Sequence, residues 1–123
     1  MDAERFRDLV LGLAATTEAS HMGHPDFRVN GRIFASLSRD ERTATLRLSP
    51  AEQAALLDTH PASFAPAAGA WGRQGWTIVQ LDGAPPSVVR AAVLLAWEAL
   101  ASTARPPRRA PRARRGRPSS RTR

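Results

Sequence analysis

Residues 25–37, PDFRVNGRIFASL, constrain this chain more tightly than any other stretch. Asn30-Gly31 is a two-residue turn in which both positions need a positive φ, and Asn and Gly tolerate that best. The segment therefore predicts a β-hairpin: a strand ending at Val29, the turn, and a return strand from Arg32. A turn centred there sets Val29 opposite Arg32 and Phe27 opposite Phe34, an aromatic cross-strand pair that helps hold register.

The flanking patterns supply the other elements. Phe6, Leu9, Val10 and Leu13 recur at the spacing of one helix face, so residues 2–15 predict an amphipathic helix. Asp2 and Glu4 favour its first turn through the helix dipole, and Thr16-Thr17, weak helix formers, mark its end. Residues 18–24, EASHMGH, lack periodicity and read as a loop into the hairpin. After a polar turn at residues 38–41, residues 43–48 alternate, with Ala44, Leu46 and Leu48 inward, which predicts a third, half-buried strand. Ser49-Pro50-Ala51-Glu52 then combines a capping serine, a proline suited to the first helical position and the glutamate of a capping box. The helix it opens should stop at about Asp58, because His60 precedes a proline. Residues 61–75 are rich in Ala, Pro and Gly and predict an irregular or short edge strand. Residues 76–81, WTIVQL, form a clear strand. Pro85-Pro86-Ser87 opens a last helix that places Val89, Val93, Ala96, Trp97 and Leu100 on a buried stripe and ends near Ser102. The order is α-β-β-β-α-β-β-α, an α+β domain with an antiparallel sheet and helices packed on it.

The length of 123 residues suits one such domain, residues 1–104, plus an appendage, residues 105–123, and a 42% apolar content is enough for a core without staples. The chain has no cysteine, so disulfides, thiolate metal sites and cysteine nucleophiles are excluded. The charged start MDAERFRD leads straight into a helical pattern rather than a secretory signal. No apolar run approaches the roughly 18 residues of a membrane span, and the expected compartment is the cytoplasm.

The net charge of +7 conceals a division. All 18 basic residues are arginine, and nine of them fall in residues 105–123, which contain no Asp or Glu. Residues 1–104 hold nine arginines against eleven acids, so the domain is about −2 and the tail +9. The tail, RPPRRAPRARRGRPSSRTR, has no apolar residue larger than Ala or Pro to repay ordering entropy, which predicts disorder in the free protein. Arginine's planar fork suits phosphate, and each neutralised phosphate releases counterions. Arg105, Arg108, Arg109, Arg112, Arg114, Arg121 and Arg123 are accordingly expected to bind nucleic acid. Arg115-Gly116-Arg117-Pro118 matches the core of an AT-hook, an extended segment that lies in a narrow A·T minor groove. The alternatives are general polyanion affinity and a tail with no selected role.

Gly23-His24-Pro25 with Phe27-Arg28-Val29, Gly31 to Ala35, Pro50 to Leu57, and Pro66, Gly69 and Trp71 to Trp76 occur in one order along the chain. On these segments the chain resembles the MmcQ/YjbR family of small bacterial proteins over roughly residues 3–101. The resemblance implies a two-layer α-β3-α-β2-α fold, a double-wing arrangement and DNA binding, and it brings no catalytic residues. Where many members place a Met-Asn-Lys-like segment, this chain has Trp71-Gly72-Arg73-Gln74-Gly75. The basic tail lies outside the resemblance.

Within the domain, His21, His24 and Asp26 invite a metal reading, but H-x-x-H in a loop does not set two imidazoles on one face as helical i,i+4 spacing does. No metal and no other cofactor is expected. There is no G-x-S-x-G elbow, and without lysine no phosphate loop of the G-x-x-x-x-G-K type, so no enzyme is expected. Trp71, beside Arg73, is either a stacking platform for a base or a cap on the sheet edge. Arg28, Arg32, Arg47 and Arg73 either line a β surface that touches phosphates or decorate a solvated face, paired with Asp26, Asp40 or Glu41. The expectation is thus a non-enzymatic DNA-binding protein that leans on its tail. The alternative is a protein- or small-ligand-binding module with a polyanion-binding tail.

Overall fold

Alternating apolar and polar residues in the middle of the chain build the sheet of the structure, a computed structural model that describes residues 1–102. The element order is α1 (Ala3–Leu11), β1 (Thr16–His21), β2 (His24–Val29), β3 (Arg32–Leu37), β4 (Thr43–Arg47), α2 (Pro50–Thr59), β5 (Phe64–Pro66), α3 (Gly69–Arg73), β6 (Trp76–Gln80) and α4 (Pro86–Ala101). The six strands form one antiparallel sheet in the order β1-β2-β3-β4-β6-β5. This is the expected α+β fold, with one more strand and one more short helix than the patterns predicted. The expected tail, residues 105–123, lies outside the described residues.

The added strand corrects the reading of residues 18–24 as a loop. Thr16 and Thr17 begin β1, which pairs along its whole length with β2, from Thr16 opposite Val29 to His21 opposite His24. β-Branched residues that end a helix suit a strand equally well, and β1 lies at the sheet edge. It carries no buried residue among those described, so it has no apolar alternation to betray it. The preceding helix is correspondingly shorter, stopping at Leu11 with Gly12 as its C-cap.

The Asn30-Gly31 hairpin forms, with φ of 56° and 77° at its two turn residues, and Val29 faces Arg32 as expected. The pairing of Phe27 with Phe34 does not form. A bulge shifts the register between Phe27 and Arg28, so that Phe27 faces Ala35. Phe34 becomes the extra residue of β3, and both Phe34 and Ala35 are buried. A bulge places two neighbouring residues against one on the partner strand, which lets β3 send adjacent side chains into the core. Phe27 instead meets Phe6 of α1 edge to face, with centroids 6.0 Å apart.

All the large core residues point to one side of the sheet. Phe27, Val29, Phe34, Leu37, Leu46 and Val79 pack there with Val89, Val93 and Leu100 of α4 and with Phe6 and Val10 of α1. Trp97, expected in the core stripe, is only half-buried; its indole N–H donates to the Ala14 carbonyl at 3.1 Å. At the start of α2, Ser49 Oγ accepts from the Glu52 N–H at 3.1 Å and Glu52 Oε1 accepts from the Ser49 N–H at 2.9 Å. The capping box predicted from sequence is therefore present. Ser49→Ala should lower stability by about 1 kcal/mol, read as a fall in the urea midpoint at unchanged slope; an unshifted midpoint would show the box to be energetically idle.

Candidate functional site

The helices α1 and α4 cover one face of the sheet and leave much of the other open. On that open face the register aligns Asp26, Ser36, Thr45, Ile78 and Ala65 as successive cross-strand partners from β2 to β5. One row thus runs across five strands, a juxtaposition that no local pattern in the chain displays.

Over the β6 side of this row stands α3, held close by two glycines. A Cβ on Gly72 would lie 1.9 Å from the Ala67 carbonyl oxygen, and one on Gly75 would lie 1.9 Å from that of Leu48. Neither position has room for a side chain. Gln53 of α2 clamps the same region. Its side-chain nitrogen lies 3.0 Å from the carbonyl oxygens of Gly72 and Trp76 and 3.1 Å from Thr77 Oγ1, sharing two hydrogens among three acceptors. The Thr77 hydroxyl in turn donates to the Gly75 carbonyl at 2.8 Å. Gln53 was not singled out from sequence; its signal was a polar residue on the helix face that also carries Leu56 and Leu57. Gln53→Leu leaves buried acceptors without donors and should cost about 1–3 kcal/mol. The thermal midpoint should fall by at least about 4 °C for a domain of this size, and an unchanged midpoint would remove Gln53 from this role.

Held this way, α3 projects Trp71 over the open face, where it is 62% exposed. Its ring meets Trp76 of β6 edge to face, at 5.9 Å and 82°. The two tryptophans, with Ala67, Ala68 and Ile33, wall a groove of about 570 Å³. Its polar lining is His24, Asp26, Ser36 and Thr45. The volume falls within the roughly 300–1,000 Å³ range of small-ligand sites.

The four body arginines, read as either a phosphate-touching β surface or a solvated face, do not all lie on one side of the sheet. Arg28 lies on the open face and is bound to Asp26 through both fork positions, at 2.9 and 3.2 Å. The Asp26 hydrogen bond and charge hold the Arg28 guanidinium above its already high range. Arg47 is the register partner of Trp76 and so stands beside the groove. Arg32 faces core-directed Val29 across the hairpin, which puts it on the helix-bearing side at the strand end, exposed. Arg73 is also exposed and sits two residues beyond Trp71, about half a turn round α3. The tail arginines with Gly116 and Pro118 lie outside the described residues. Of the suggested metal residues, His24 and Asp26 line the groove and His21 lies on β1; among the described residues no cluster of three such side chains has metal-binding geometry. Nor, among them, is any helix long and apolar enough to cross a membrane.

No curated protein matches the chain. Among solved structures, the Deinococcus radiodurans protein DR2400, a DUF419 domain, is similar at a TM-score of 0.73 and 20% identity, over 83% of this chain and 80% of its own. A Pseudomonas syringae protein is similar at 0.63 and 16%, over 78% of this chain and 96% of its own. At these identities the likeness is one of fold. The YjbR family model matches residues 11–99, from the last residue of α1 to near the end of α4, and the chain belongs to the YjbR family.

Proposed function

We propose that this protein is a non-enzymatic nucleic-acid-binding protein of the cytoplasm, with DNA as its expected partner. Residues 105–123 supply the phosphate affinity and the folded body orients the chain. The observation that carries this is the segregation of charge: nine arginines and no acid in residues 105–123, against nine arginines and eleven acids in residues 1–104. Cation density of this kind, unbalanced by any acid, is what a polyphosphate backbone attracts. The fold adds a point of attachment. Asn30 Nδ2 donates to the Leu100 carbonyl at 3.3 Å, so α4 ends beside the hairpin tip flanked by Arg28 and Arg32.

The groove favours binding over catalysis. Asp26 is engaged by Arg28 rather than by His24, and among the described residues no hydrogen bond joins His24 to Ser36. The three are therefore not assembled as nucleophile, base and orienting carboxylate. The same groove also favours a second reading, in which the domain is a small-ligand or protein-binding module and the tail a general polyanion binder. Titrating a DNA duplex with the full chain and with residues 1–104 at several salt concentrations tests the first reading; equal affinity of the two would overturn it.

A further inference from the structure

We propose that the groove between α3 and the open sheet face holds one unpaired nucleobase, so that the body engages single-stranded nucleic acid. This rests on the nucleic-acid reading above and gives the folded body its own part in it. Three features select a base over other occupants. Trp71 presents an exposed ring, held upright by its edge-to-face contact with Trp76, and a flat π-face stacks on such a ring whatever the base.

Beneath it, Ser36 and Thr45 are register partners, and neither hydroxyl has a hydrogen-bond partner among the described residues. A hydroxyl both donates and accepts, so two side by side suit the mixed donor and acceptor edge of a base; an aliphatic ligand would leave them unused. The one carboxylate in the lining, Asp26, is already bound to Arg28, which removes the charge that would repel a nucleotide and that a cation would need. Arg47, beside Trp76, stands where a phosphate flanking the base would lie. Bases in a duplex are stacked and paired, whereas a single strand exposes them.

The test uses the full chain, a short oligothymidylate and a duplex of mixed sequence, at one salt concentration. Trp71→Ala should weaken oligothymidylate binding by about 5- to 100-fold and leave duplex affinity within about twofold. Trp71→Phe, which keeps a ring, should recover most of the loss. Oligothymidylate should quench tryptophan emission in the parent chain and much less in Trp71→Ala. Trp71 is largely exposed, so its truncation should leave the fold intact, to be checked by far-UV circular dichroism. If Trp71→Ala binds oligothymidylate as tightly as the parent while both bind duplex, the base site is wrong and the tail reading stands. Should the parent bind neither nucleic acid, the nucleic-acid reading itself fails.

Discussion

Gly75→Ala is expected to remove a large share of the stability of the domain. Gly75 has φ of 112°, a conformation that residues with a side chain rarely adopt, and it sits against the backbone at the end of β4. An added Cβ would lie 1.9 Å from the Leu48 carbonyl oxygen and 2.8 Å from its carbon. Those are backbone atoms, fixed by the strand that precedes the α2 cap, and the Leu48 N–H donates to the Gly75 carbonyl at 3.3 Å. No rotamer change relieves such a contact, so β4 and β6 must separate where they meet Gln53 and α3. Backbone strain and a disrupted polar network together should cost on the order of 4 kcal/mol or more. That is a large share of the roughly 5–15 kcal/mol typical of a domain. Gly83→Ala is the control, because nothing lies within 4 Å of its Cβ position; it should stay within about 0.5 kcal/mol of the parent. Urea unfolding of both variants decides the matter, and a Gly75→Ala midpoint equal to that of Gly83→Ala would refute it.

Removing residues 105–123 should have the largest effect on binding. If all nine arginines engage phosphates, the slope of log affinity against log salt approaches about −8, at about −0.9 per phosphate. Even six or so contacts imply a loss of about a thousandfold between roughly 50 and 200 mM salt. Residues 1–104 carry more acid than base, so for them the slope on duplex DNA should be near zero and the affinity lower by orders of magnitude. The shortened chain should still fold, because it keeps every hydrophobic-core residue found among the described residues, the last of which is Leu100. Fluorescence anisotropy with a labelled duplex gives both slopes. Parallel lines would mean that the body, not the tail, holds the backbone.

Where a few adjacent residues settle the conformation, the residues alone foretold it. Asn30-Gly31 made its turn, Ser49 to Glu52 made its capping box, and Val89, Val93, Ala96 and Leu100 came to lie on one buried helix face. Turn chemistry, capping and periodicity act within a turn or two of chain, so they are written locally. The division between an acidic body and an arginine tail is likewise a property of composition.

What needed the tertiary structure was everything that depends on which strand lies beside which. β1 has no buried stripe and exists because β2 offers it a ladder. The Phe34 bulge reflects packing of two neighbouring residues into one core. The groove joins residues from β2, β3 and β4 to α3 and β6, and Gln53 is fixed to partners 19 to 24 positions away. Long-range register is set by the best joint burial of the whole core, and no short window of sequence contains it.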